Sequence, residues 1–329
     1  MAAMVLRAAQ RRSTPSLRSR LLVACAAPFA LPRESTLGGA LQAATAAFQA
    51  RDVPEASLSA EHLLTRAAGF GSSRAALAAQ LNSPLDETTH TTFAEMCARR
   101  LERVPVQYIL GDWDFHALTL AVRPPVLIPR PETEELVELV LDAHGAGGAE
   151  RAASFLDVGC GSGAIGLALL RALPAARCVG VDVSAAAVEL ARENAAALGL
   201  GARYEAVRRG VAEHAAAETA RVDVVVSNPP YIPAADMTGL EPEVRAHEDE
   251  GALCGGADGL DVIRELLTAA PSLLRADGPR AVWLEVDASH PPLIDAWLRA
   301  PAQAPLEMRL ARWERDAGGH PRFCEVRWR

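Results

Sequence analysis

Between residues 35 and 103 the apolar positions recur three and four apart, and turn-forming stretches interrupt them at Asp52-Val-Pro54, Gly69-Phe-Gly71 and Asn82-Ser-Pro84. That period marks amphipathic helices and predicts a small all-α domain of four or five helices over residues 34–103. The texture changes at Val104. Two short β-prone runs flank Gly111-Asp112 and alternating apolar positions continue to Val122, which predicts a β-hairpin linker over 104–122. Next, Arg123-Pro-Pro-Val-Leu-Ile-Pro-Arg-Pro-Glu-Thr-Glu134 sets rigid X-Pro steps before a helix with acids in its first turn.

From Ser154 the pattern alternates between short continuous apolar runs and helical periods. Residues 155–158, 178–181, 222–227 and 281–286 read as strands, and 164–173 and 185–198 as helices. Apolar strands separated by helices are buried on both faces, so residues 123–329 are expected to form a doubly wound, mainly parallel α/β sheet. Ligands of such sheets lie at the carboxyl ends of the strands. Chemistry is therefore expected in the loops after Val158, Val181 and Ser227.

With 329 residues, half of them apolar, the chain has material for roughly two cores. The formal net charge is −8 and all 33 basic side chains are Arg, a balance that argues against a broad nucleic-acid footprint. Cys25, Cys97, Cys160, Cys178, Cys254 and Cys324 form no C-x-x-C pair and have no His at ligand spacing, so neither a metal site nor a disulfide framework is expected. The first 33 residues carry Arg7, Arg11, Arg12, Arg18, Arg20 and Arg33 with several Ser, and no acid precedes Glu34. That is the composition of a mitochondrial transit peptide. The apolar run 21–31 is too short and too Pro-broken to span a bilayer, so a protein of the mitochondrial matrix is expected.

The loop after the first strand is Asp157-Val-Gly159-Cys160-Gly161-Ser162-Gly163. Its alternating glycines allow a tight turn and close approach of a ligand to the backbone. Asp182 ends the next strand, where a carboxylate can accept both hydroxyls of a ribose. Dinucleotides and S-adenosylmethionine both suit that layout. The glycine spacing resembles the S-adenosylmethionine loop of class I methyltransferases, with Asp157 near the amino-acid portion.

The strand ending at Ser227 runs into Asn228-Pro229-Pro230-Tyr231. A methyl acceptor must aim a nitrogen lone pair, and in an amide that pair is delocalised, as the rotation barrier of ~18–20 kcal/mol shows. The acceptor NH2 must therefore be held and pointed. The Asn228 side-chain oxygen can accept one N–H and the Pro229 carbonyl the other, while the two prolines fix the backbone direction. Tyr231 offers a face to a planar group. Asn228, Pro229 and Tyr231 are thus the catalytic candidates, and all four residues the substrate-binding ones. They act by direct in-line displacement without an obvious general base.

Five stretches together resemble the HemK family of release-factor glutamine N5-methyltransferases. They are Arg103-Val-Pro-Val-Gln-Tyr-Ile-Leu-Gly-Asp-Trp-Asp-Phe115, Val126-Leu-Ile-Pro-Arg-Pro-Glu-Thr-Glu134, Asp157-Val-Gly-Cys-Gly-Ser-Gly-Ala-Ile165, Ser227-Asn-Pro-Pro-Tyr-Ile-Pro233 and Ala252-Leu-Cys-Gly-Gly-Ala-Asp-Gly-Leu260. The resemblance implies a class I (Rossmann-like) S-adenosylmethionine-dependent methyltransferase domain behind a helical domain and a hairpin. It implies a protein-(glutamine-N5) methyltransferase acting on the Gly-Gly-Gln loop of peptide-chain release factors, the mitochondrial ones given the leader. Carried over by position, residues 159–163 and Asp182 bind S-adenosylmethionine, and Asn228 touches cofactor and glutamine. Three positions depart from the family pattern. Arg209-Gly-Val-Ala212 stands where an acid and a bulky residue are usual, leaving Val211 as the adenine contact; Cys254 replaces a common acid; His320 replaces an Arg.

Two alternatives accompany this reading. A DNA or RNA amino methyltransferase requires a base-flipping site beside a basic groove, and a non-catalytic S-adenosylmethionine-binding module requires binding without turnover. The acids at 241–250 read as a solvated helix.

Overall fold

The computed structural model describes residues 31–32, 35–145, 154–217 and 220–328. Of the expected leader, all but Leu31 and Pro32 lies outside these residues. Leu31 is buried in the helical core, and its carbonyl meets the His90 ring at 3.2 Å.

Four helices follow the expected period: α1 (Leu37–Gln49), α2 (Ala56–Ala67), α3 (Arg74–Ala79) and α4 (Glu87–Leu101). Thr36, Ser73 and Asp86 cap three of them by accepting a backbone N–H of the first turn. Phe48, Leu63, Leu64, Phe93 and Cys97 form the centre of their core. The run 107–110, expected as a strand, is instead a short helix, α5 (Val106–Leu110). Pro105 starts it, Gly111 ends it at φ 82°, and Ile109 is drawn into the helical core. The hairpin itself is present one step later, with β1 (Asp112–Phe115) antiparallel to β2 (Leu118–Ala121).

Next comes α6 (Pro131–His144), with Pro at its start and Glu132 and Glu134 in its first turn. Alternation follows through β3 (Ser154–Val158), α7 (Ala164–Ala172), β4 (Arg177–Asp182), α8 (Ala185–Ala197), β5 (Tyr204–Arg208), α9 (Val211–Ala216) and β6 (Val224–Ser227). The chain then passes through α10 (Pro242–His247), α11 (Asp261–Leu273), β7 (Ala281–Glu285), α12 (His290–Arg299), β8 (Met308–Arg315) and β9 (Pro321–Trp328). The strand order is β5-β4-β3-β6-β7-β9-β8; the first five are parallel, and β9 runs antiparallel to both neighbours. Successive residues of each strand serve opposite faces. Phe155, Val224 and Trp283 pack towards α6 and α7, whereas Leu156, Val225 and Val282 pack towards α11 and α12. The chain winds outward from β3 to β5, then returns to lay β6 on the other side of β3. That reversal opens a crevice at the carboxyl ends of β3 and β6.

The acidic stretch 241–250 is not a solvated helix. Glu243 and Glu248 are buried. Glu243 accepts from Arg100 at 2.9 Å and from Arg103 at 2.7 Å, both from the helical unit, and Glu248 accepts from Arg130 at 2.6 Å. Composition alone misreads the stretch because arginines from distant segments neutralise these carboxylates inside a seam. Glu243→Ala leaves the buried Arg100 guanidinium without its counter-charge and is expected to destabilise the chain by about 3–5 kcal/mol in urea unfolding. Glu241→Ala, an exposed change in the same stretch, should leave the curve in place. Equal effects of the two would contradict this reading.

Candidate active site

The crevice is walled by the segments that leave four parallel strands. Gly159 and Gly161 follow β3, Asp182 ends β4 with Val183 and Ser184 just after it, Arg209, Gly210 and Val211 follow β5, and Asn228 and Pro230 follow β6. Val126 and Leu127 close one side; Asp249, Gly251 and Ala252 close another. Gly159 has φ 70° and its missing Cβ would meet nothing nearer than the Asn228 carbonyl at 3.9 Å, so its backbone is open to the crevice. Gly163 serves the opposite side: a Cβ there would stand 3.0 Å from Leu167 and 3.2 Å from the Tyr204 hydroxyl, so its absence lets α7 lie on the sheet.

Asp182 is held by the loop it faces. Its Oδ2 accepts from the Gly161 N–H at 2.9 Å and its Oδ1 from the Ser184 N–H at 2.8 Å. Burial raises its carboxyl above the ordinary value, against the pull of those two donors. Beside it Val183 is 68% exposed, an apolar surface offered at the mouth of the crevice.

A second set of contacts stands behind Asn228. Its Nδ2 donates to Thr133 Oγ1 at 3.0 Å, Thr133 donates to Glu285 Oε2 at 2.7 Å, and the Tyr231 hydroxyl donates to Glu285 Oε1 at 3.2 Å. Thr133 comes from the first turn of α6 and Glu285 from the end of β7. Burial raises the Glu285 carboxyl, while the Thr133 and Tyr231 hydroxyls and the Arg322 charge act the other way. The tetrapeptide's backbone is packed from behind: a Cβ on Gly255 would lie 2.6 Å from the Pro230 carbonyl, and one on Gly259 2.2 Å from the Tyr231 carbonyl.

The pattern described as the PrmC N-terminal domain matches residues 39–111, and that of the methyltransferase small domain matches residues 139–240. The MTRF1L release factor glutamine methyltransferase of Homo sapiens is 41% identical over 291 residues, covering 86% of this chain and 85% of the relative. The release factor glutamine methyltransferase of Geobacter sulfurreducens is 42% identical over 237 residues (72% and 78%), and that of Cereibacter sphaeroides 40% over 251 residues (76% and 85%). The chain belongs to the release factor glutamine methyltransferase family.

Membership in this methyltransferase family sets aside the nucleic-acid and non-catalytic alternatives. Of the residues singled out in the sequence, the fold brings Gly159, Gly161, Asp182, Val211, Asn228 and Pro230 to the crevice wall. Tyr231 joins them through Glu285, and Pro229 is buried between Asn228 and Pro230. Four others lie beneath the loop rather than in the wall. Cys160 is buried against Gly180. The Ser162 carbonyl accepts from Asn194 at 2.9 Å. Gly163 packs on α7, and Asp157 is fully buried with its Oδ2 accepting from the Gly166 N–H at 3.0 Å.

Thr133 and Glu285 were not singled out. Thr133 sits in the Ile-Pro-Arg-Pro-Glu-Thr-Glu stretch that runs into α6, and Glu285 is an acid closing an otherwise apolar strand, which is the signal that marks it. Among the described residues there is no cluster of His, Cys, Asp and Glu able to hold a metal, and no helix long and apolar enough to cross a membrane.

Burial pushes the Asp157 carboxyl up to about 7, with the Gly166 N–H opposing and the Asp182 charge adding. A carboxyl raised in the folded state costs stability progressively as pH climbs from its unfolded value to its folded one. Asp157→Asn removes that cost, so its melting temperature relative to the parent should rise between about pH 4 and pH 7 and then level off. A difference that stays flat across the range would show that the carboxylate ionises there without penalty.

Proposed function

We propose that this family member methylates the side-chain nitrogen of the Gln in the Gly-Gly-Gln loop of mitochondrial release factors, using S-adenosylmethionine. The observation that carries the reading is Asn228. It stands on the crevice wall beside the glycine loop, with its amide held from behind by Thr133.

The donor set fits the cofactor. Among the described residues Asp182, Asp249 and Glu265 line the crevice against the guanidinium of Arg209, a balance that favours a cationic ligand. When bound, S-adenosylmethionine supplies a methyl group activated by a sulfonium charge. Asp182 is assigned to the ribose hydroxyls, the open backbone at Gly159 and Gly161 to the amino-acid portion, and the apolar surfaces of Val183 and Val211 to the adenine. Asp157, Cys160, Ser162 and Gly163 contribute from below by shaping the loop.

Asn228 Oδ1 accepts one N–H of the substrate amide. The Pro229 carbonyl is assigned the second, because those of Pro230 and Tyr231 are covered by Gly255 and Gly259. Two fixed acceptors turn the NH2 group towards the methyl donor and stabilise the positive charge that develops on it. The methylated amide then gives up its extra proton to water. Localisation rests on the Arg-rich residues 1–33.

The full chain incubated with labelled S-adenosylmethionine should label a mitochondrial release factor but not its Gly-Gly-Ala form. Asn228→Ala should lower kcat by roughly 10²–10³-fold. Label in the Gly-Gly-Ala form, or in DNA instead of the factor, would overturn the assignment.

A further inference from the structure

We propose that Glu285 and Thr133 are positioning residues that decide which end of the Asn228 amide faces the substrate, and so make the pocket select an amide over a carboxylate. The inference rests on the functional reading above and deepens it.

Glu285 is 1% exposed and each of its oxygens meets a hydroxyl, Tyr231 on Oε1 and Thr133 on Oε2. An ionised carboxylate only accepts hydrogen bonds, and a Thr hydroxyl has one proton. The proton of Thr133 is therefore committed to Glu285, and only lone pairs remain on the side that Asn228 reaches at 3.0 Å. An Asn amide meeting lone pairs must turn its NH2 to them. Its Oδ1 then points away from Thr133, on a residue that lines the crevice. The orientation follows from the arrangement of donors and acceptors and not from the shape of the amide, whose two ends are nearly the same size.

Were the Thr133 proton free, it could serve Oδ1 equally well, and the amide could present its NH2 to the substrate. A donor would then face the NH2 of a glutamine, which has no acceptor at that nitrogen, and would suit the oxygens of a glutamate instead. The chain of bonds also polarises the Asn228 amide, making Oδ1 a better acceptor as charge develops on the substrate nitrogen. Burial works against the charge of Glu285, with Glu132 of α6 adding to it, while the Thr133 and Tyr231 hydroxyls and Arg322 of β9 favour it.

The test uses the full chain with a release factor, in Gly-Gly-Gln and Gly-Gly-Glu forms, and the near-isosteric variants Thr133→Val, Thr133→Ser and Glu285→Gln. Thr133→Val and Glu285→Gln should lower kcat by about 10–100-fold, the scale on which supporting partners of site residues act. Thr133→Ser, which keeps the hydroxyl, should stay near the parent. S-adenosylmethionine binding by calorimetry should change little in all three, and a fall in melting temperature for Thr133→Val, which leaves one Glu285 oxygen without its donor, should not track the loss of kcat across the set. The Gly-Gly-Glu factor should compete weakly for the parent and clearly better for Glu285→Gln. Parent-like turnover in both Thr133→Val and Glu285→Gln would overturn the proposal. So would a loss that Thr133→Ser shares, or one that follows the melting temperature. A parent protein that leaves the Gly-Gly-Gln factor unlabelled fails at the earlier step and overturns the functional reading itself.

Discussion

In the parallel pair β3/β6, Val158 stands opposite Ser227, and the Ser227 hydroxyl donates to the Val158 carbonyl at 2.6 Å. This register is the constraint on which the site depends. It makes Gly159 and Asn228 leave the sheet side by side, both on the wall of the crevice. A slip of one residue would exchange the faces of β6 and part Asn228 from Gly159. Val224, Val225 and Val226 are buried on both faces, which fixes β6 in the sheet, and the Ser227 hydroxyl on the Val158 carbonyl marks the register.

The same economy governs the acids. Glu243, Glu248 and Glu285 are all buried, and each has been given donors from a distant part of the chain. Glu243 ties the segment between β6 and α11 to the helical unit through Arg100 and Arg103, and Glu248 ties it to Arg130 just before α6. That segment also supplies Asp249, Gly251 and Ala252 to the crevice wall. Buried carboxylates of this kind are costly unless partnered, and Arg100, Arg103 and Arg130 partner Glu243 and Glu248 across the seam. The site is thereby braced against both the helical unit and the start of α6.

Much of this was legible in the residue pattern. The three- and four-residue period located α1 to α4, and the apolar runs located β3, β4, β6 and β7, because local periodicity reflects which face is buried. The glycine loop, Asp182 and the Asn-Pro-Pro-Tyr stretch could be read because each requires a particular residue type at a particular backbone position. The run at 107–110 was misread, since a short apolar segment has no period of its own and its state is set by Ile109 entering a core built from other helices.

The sequence by itself determined the strand and helix alternation, the open backbone at the glycine loop and the rigid Asn-Pro-Pro-Tyr turn after β6. These depend on residues close together in the chain. Only the tertiary structure decided that Asp157 supports the loop from below, that the acids at 243 and 248 are internal ties, and that Thr133 and Glu285 stand behind Asn228. Residues 133, 228 and 285 are brought together by the winding of the sheet, and a hydrogen bond between groups so far apart leaves no periodic trace along the chain. The donor count at Glu285 becomes readable once those three elements meet.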